Sequence, residues 1–214
     1  MWQYLRDNQT DIRDWTVTTV WLALVPLLVG LVIALPLGWV ASRYRRTYPP
    51  LVWSAGVLYT IPSVVLFVAL PGILGTRILD PFNVAVALTV YTVALLVRVV
   101  ADGLSSVSAD TLAAASAMGF TGRQRLFSVQ LPMAVPVIGA GVRVAAVSNV
   151  SLVSVASIIG VSQLGQLFVS GNNTGLVTPI LLGLIFFVGL ALIFDLTILL
   201  VMRLLTPWRR AAVS

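Results

Sequence analysis

The sequence has no cysteine, histidine, lysine or glutamate; its 13 cationic residues are all Arg and its 7 acids are all Asp. Without cysteine no disulfide can form, and zinc sites built on Cys or His are excluded. A Ser-His-Asp triad has no base to use. A phosphate-binding loop of the kind that ends in Gly-Lys-Ser/Thr has no lysine. Scattered Asp and Ser are all that is left for acid–base chemistry. The chain is therefore expected to have no catalytic residue and to bind no cofactor or metal of its own.

Charge is scarce as well: 9% of the 214 residues are charged, against 59% hydrophobic. A soluble domain carries about a quarter charged residues, so this chain cannot cover a water-facing surface and needs lipid as its outer solvent. The apolar runs are of spanning length, at residues 16–41, 51–70, 82–100, 133–158 and 179–205. The short alternating segments of a β-barrel are missing. The fold class that follows is all-α, a polytopic membrane protein of about five transmembrane helices. Residues 1–15 form an external leader, 16–205 the transmembrane domain, and 206–214 a tail. Trp2, Tyr4, Leu5, Ile12 and Trp15 suit the leader to the membrane interface. The first run is too long for a signal-peptide core and is expected to be retained.

A net charge of +6 invites a nucleic-acid reading, but the Arg residues lie between apolar runs, where the positive-inside rule accounts for them. Arg43, Arg45 and Arg46 follow the first run, Arg123 and Arg125 the third, and Arg209 and Arg210 the fifth. On the other side, Arg6, Arg13 and Arg77 are diluted by Asp7, Asp11, Asp14 and Asp80. This alternation puts the N-terminus outside and the C-terminus in the cytoplasm of a bacterial or archaeal cell membrane, with lipid and no nucleic acid as partner.

The segment 103–132 is the one long cytoplasmic loop. Asp110 is the expected N-cap of a short helix over 111–118, with Gly119 as its stop. Thr121-Gly122-Arg123-Gln124 has capping-box spacing and opens a second helix, which Pro132 is expected to end. A helix–glycine–helix unit of this size is either a docking element for a soluble partner or a structural elbow.

Ala113-Ala114-Ala115, three residues, Gly119, nine residues, then Val129-Gln130-Leu131-Pro132 resembles the loop motif of ABC importer permeases: Glu-Ala-Ala, three residues, Gly, nine residues, Ile, any residue, Leu-Pro. Ala113 stands where that motif has Glu, which puts one polar contact in doubt. Tyr59-Thr60-Ile61-Pro62-Ser63, Gly139-Ala140-Gly141-Val142-Arg143 and Ile158-Ile159-Gly160-Val161 with Leu164-Gly165 look like the osmoprotectant (glycine betaine, carnitine, choline) subfamily. The resemblance implies a type I ABC importer permease core. Its coupling loop would use Ala113, Ala114, Ala115, Gly119, Leu131 and Pro132 to seat a separate ATPase subunit, which would carry the ATP-Mg. A second permease subunit, identical or paralogous, and an external substrate-binding protein would complete the importer. The substrate would be glycine betaine, choline, carnitine or proline; methionine or another amino acid is the alternative.

Aromatic faces hold a quaternary ammonium ion, each contributing about 0.5–2 kcal/mol. Tyr59, Phe67 and Tyr91 are the candidates for the substrate path, with Thr60, Pro62 and Ser63 at a kink or break that the proline imposes. The small residues of the fourth run, Gly139, Gly141, Ala145 and Ala146 with Ser148, Ser151, Ser154 and Ser157, suit either close helix packing or a polar stripe along the path. Apart from Arg203 near the end of the fifth run, three charges fall within the runs. Arg143 and Asp195 lie at equal depth and are natural partners; Arg98 competes for Asp195 but can pair with Asp102 on its own helix. An ion-coupled secondary transporter would use the same three charges as a relay, although it has no need of the loop motif.

Overall fold

A computed structural model describes residues 1–44 and 46–208, so Arg45, Arg209 and Arg210 of the orientation argument lie outside the described residues. The described residues form α1 (Trp2–Asp7), α2 (Gln9–Arg43), α3 (Tyr48–Thr60), α4 (Ser63–Leu74), α5 (Pro81–Ser105), α6 (Ala109–Ala117), α7 (Gly122–Arg125), a π-helical turn (Leu126–Gln130), α8 (Leu131–Val155), α9 (Gln166–Thr174) and α10 (Val177–Leu205), with no strand among them. Four helical stretches are long and apolar enough to span a bilayer, or five if the bent pair α3–α4 counts as one span. Only helices satisfy every backbone polar group internally, which is what the hydrocarbon region demands of an open chain.

Helix α2 starts at Gln9, so residues 9–15 run as one continuous helix into the first apolar run. Its 35 residues reach about 52 Å, well beyond the hydrocarbon thickness, and it continues through Pro26 and Pro36. Helix α5 starts sharply at Asp80, whose carboxylate accepts from the Phe82 N–H (2.9 Å), with Pro81 in the first turn.

The core is the packing of α2, α5 and α8. Helix α2 presents Gly30, Ala34 and Gly38 to α5, all buried. A Cβ built on Gly30 would lie 2.5 Å from Thr92 Cγ2, and one on Gly38 2.6 Å from Val100 Cβ. Small residues four apart let two backbones close without a hydrophobic driving force, which lipid does not supply. Helix α8 repeats the device: Gly141 meets Val99 of α5 and Gly139 meets Met202 of α10. Asn149 joins all three core helices. It donates to Ala23 O (3.3 Å) and to Thr92 Oγ1 (3.0 Å), while Thr92 donates back to its Oδ1 (3.2 Å).

Helix α10 closes the bundle against α8 and α9. Its outer face exposes Leu184, Ile185, Val188, Leu192, Ile193 and Leu196, an apolar surface suited to acyl chains. Between α8 and α9 the chain turns back through residues 156–165. Thr19 Oγ1 on α2 accepts from the Leu164 N–H (3.0 Å). The fully buried Gln163 donates to Ser154 O (3.3 Å) and accepts from the Gly165 N–H (2.6 Å).

Candidate functional site: a broken span, a helical hairpin and the intramembrane charges

The run 51–70 is not one straight span. Helices α3 and α4 meet at Ile61–Pro62 with a bend of 99°. Both residues are extended (ψ 128° and 133°), as the ring of a proline and its clash with the preceding residue require. The break frees the Ile61 carbonyl inside the apolar region, and the Tyr91 hydroxyl of α5 donates to it. The Tyr91 ring is buried and meets Tyr59 edge to face, with centroids 5.7 Å apart. Tyr59, Thr60 and Pro62 are exposed and Ser63 is half-buried. Tyr91 instead supports Tyr59 from behind.

Phe67 has to be removed from the path aromatics. It is fully buried in a cluster with Leu22, Val84 and Leu88, because the bend turns that face of α4 inward onto α5 and α8. The serines of the fourth run differ in exposure. Ser154 and Ser157 bond back to the carbonyls of Ser151 and Ser154 (both 2.7 Å), and Ser157 is buried; Ser151 alone of the four is exposed.

On the other side of the bundle α6 and α7 form a hairpin. The N-cap of α6 is Ser108, not Asp110: Ser108 Oγ accepts from the Thr111 N–H (3.2 Å) on extended backbone. Asp110 lies inside the first turn, where its charge favours the helix N-terminus without capping it. Gly119 ends the helix at φ +85°, a left-handed conformation that favours glycine. Thr121 and Gln124 make the full capping box. Arg125 donates to Ser116 Oγ (2.8 Å) and ties the two short helices together.

Pro132 does not end a helix. From Gly122 to Val155 the chain is helical without a break. The π turn Leu126–Gln130 widens the backbone just before the proline, where its ring would otherwise meet the Ser128 carbonyl. Gln130 Nε2 donates to Leu104 O (3.0 Å), anchoring the base of the hairpin to α5. Ala113, Ala114, Met118, Phe120 and Phe127 are exposed, whereas Ala115 is 1% exposed and packs inward. Leu131 and Pro132 are half-buried at the base.

The charges inside the spans sort into two pairs. Arg143 and Asp195 join α8 to α10 by a two-pronged bond, Nε to Oδ1 and Nη2 to Oδ2, both 2.7 Å. Arg98 lies beside Asp102, one turn further along α5, at 3.6 Å. Asp102 also accepts from the Tyr48 hydroxyl of α3 (2.6 Å), a partner that the sequence pattern did not reveal. The close packing of Gly30, Ala34 and Gly38 was missed too, although their spacing of four is a readable signal.

This architecture has known counterparts. The family model described as binding-protein-dependent transport system inner membrane component matches residues 27–211. The osmoprotectant import permease protein OsmW of Salmonella typhimurium is 30% identical over 207 residues, 95% of this chain and 96% of that protein. The choline transport system permease protein OpuBB of Bacillus subtilis is 27% identical over 96% of this chain and 93% of its own length. Among solved structures, an inward-facing MetNI methionine ABC transporter superimposes with a TM-score of 0.81 at 22% identity, over 94% of this chain and 98% of the matched chain, a likeness of fold. The chain is a multi-pass inner-membrane protein and belongs to the family of inner-membrane components of binding-protein-dependent transport systems, the permease subunits of ABC importers.

Proposed function

We propose that this permease carries a small osmoprotectant of the quaternary-ammonium class, such as glycine betaine, choline or carnitine, or proline. Two subunits, identical or paralogous, would face each other around a central path. Similarity to osmoprotectant and choline permeases over nearly the full length of both chains supports the substrate class and is the observation that carries it. The exposed Tyr59 face at the Pro62 break offers the weak cation contact such a path needs, because a deep well would slow release.

The hairpin of α6 and α7 is the coupling element. Its exposed Ala113 and Ala114 let a partner surface approach closely, and Met118 and Phe120 provide apolar contact at its tip. The partner is an ATPase subunit that holds ATP-Mg; an external binding protein delivers the substrate. The distribution of Arg supports an external N-terminus and a cytoplasmic C-terminus. Alternating access then follows from closure of the ATPase pair, transmitted through the hairpin to α5 and α8.

The test is uptake by vesicles holding the assembled complex, with labelled glycine betaine, choline, carnitine, proline and methionine offered in turn. ATP-dependent uptake of at least one quaternary-ammonium compound or proline is expected. Uptake of methionine alone, or uptake driven by an ion gradient without ATP, overturns the reading.

A further inference from the structure

Helices α3 and α5 run antiparallel and are bridged twice by tyrosines: Tyr59 against the Tyr91 ring, and the Tyr48 hydroxyl on Asp102. The two bridges are the same number of residues apart on each helix, about 16 Å along the axis. On α5 the residues Tyr91, Leu95, Arg98 and Asp102 follow one another at spacings of three and four and share one face. That face begins at the break in the second span and ends at the Tyr48 level, where the Arg-rich loop meets the membrane.

Arg98 is the unusual member. Its side chain is 67% exposed, and its one ion-pair contact among the described residues is the 3.6 Å approach to Asp102. A guanidinium has five donors in a planar fork, so most of its binding capacity is unused. It sits about 10 Å inside the end of α5, where hydrocarbon is a costly neighbour. Trp53, Val57 and Leu58 of α3 are exposed beside it, so Tyr48, Arg98 and Asp102 form a polar strip within a largely apolar surface, which suits a polar ligand better than acyl chains.

Building on the osmoprotectant reading above, we propose that Arg98 is a specificity-determining residue at the inner mouth of the path. It takes the carboxylate of a zwitterionic betaine as the substrate leaves for the cytoplasm. Asp102 is the resident carboxylate that the substrate displaces, which keeps the site weak and the exit fast. Tyr59, deeper along the same face, contacts the trimethylammonium end earlier in the passage. Choline, which bears the same cationic head and no carboxylate, gains nothing from Arg98.

The experiment uses vesicles with the assembled complex, ATP inside and the binding protein outside, and loads the lumen with unlabelled glycine betaine or choline while uptake is followed. In the wild type, lumenal glycine betaine slows uptake at concentrations where choline does not. Arg98→Gln weakens the glycine betaine effect about tenfold, to the level of choline, as expected for a lost charge-assisted contact. Arg98→Lys keeps most of it, and Asp102→Asn strengthens it because the competing carboxylate is gone. A wild type that responds equally to the two compounds overturns the assignment, as does an Arg98→Gln complex that still discriminates between them or an Asp102→Asn complex with a weakened response. A complex that takes up neither a quaternary-ammonium compound nor proline overturns the functional reading, and this assignment with it; one that takes up proline but no quaternary-ammonium compound overturns this assignment alone.

Discussion

Arg143 on α8 and Asp195 on α10 meet in a two-pronged ion pair with both bonds at 2.7 Å, and neither side chain is fully covered (37% and 27% exposed). Parallel donors matched to both carboxylate oxygens fix the relative height and rotation of two helices that otherwise share mainly apolar contacts. Removing one partner leaves the other charged within a spanning helix. Arg143→Ala is therefore expected to lower the yield of folded protein and its melting temperature in lipid nanodiscs. Arg143→Ala with Asp195→Ala should regain part of the loss. A double variant that melts below either single one would show that the pair is not the source of the effect.

The seam between α2 and α5 depends on missing side chains at Gly30 and Gly38. A Cβ at either position would lie within 2.6 Å of a β-branched neighbour, so one helix must shift. Gly30→Val and Gly38→Val are each expected to cost about 1–3 kcal/mol of stability by overpacking. Gly56 and Gly72 have open space around them, and alanine there should be close to neutral. Denaturation midpoints of the four variants check the contrast.

Tyr91 caps the carbonyl that the Pro62 break releases. Tyr91→Phe keeps the ring against Tyr59 but leaves the Ile61 oxygen unpaired, at a cost of about 1–3 kcal/mol. The expected result is a less stable protein with slower uptake, whereas Phe67→Leu, in the buried cluster, should affect stability and leave substrate preference unchanged. A shift of substrate preference in Phe67→Leu would contradict its place in the core.

In the hairpin, exposed and buried alanines should behave differently. Ala114→Asp alters the exposed surface and is expected to raise the ATP hydrolysed per substrate imported, with the protein still in the membrane. Ala115→Asp buries a charge and should reduce folded protein instead. Gly119→Ala forces a side chain into a left-handed backbone, costing about 1–2 kcal/mol and loosening the turn. Paired measurements of ATPase rate and uptake separate the outcomes; normal coupling in Ala114→Asp would remove the hairpin from the coupling role.

Local signals were legible where the chain interacts with itself over a few residues. The Thr121–Gln124 capping box, the stop at Gly119 and the break at Pro62 all follow from side chains acting on their own backbone. Ser108 was missed because two candidate caps stand close together, and the choice depends on where the preceding helix releases the chain. Pro132 was misread because the π turn that accommodates it has no strong residue signature. The buried Gln163 and the turn it stabilises were not visible, since their partners Ser154 and Gly165 matter only once residues 156–165 fold back onto α2.

Composition alone sets the solvent and the fold class. So little charge with so many apolar runs leaves helices in lipid as the one stable solution, and the absence of Lys, His, Cys and Glu removes a nucleotide loop and the common catalytic groups. Packing in three dimensions sets the rest: that Arg143 faces Asp195 while Asp102 takes Arg98 and Tyr48, that Gly30 and Gly38 meet α5, that α4 turns 99° from α3, and that Phe67 is core while Tyr59 is exposed. The physical reason is that lipid and protein interior are equally apolar. In water, the hydrophobic face of a helix marks the side that packs; in a membrane both sides are hydrophobic, and only the shapes and polar groups of the neighbouring helices decide which one does.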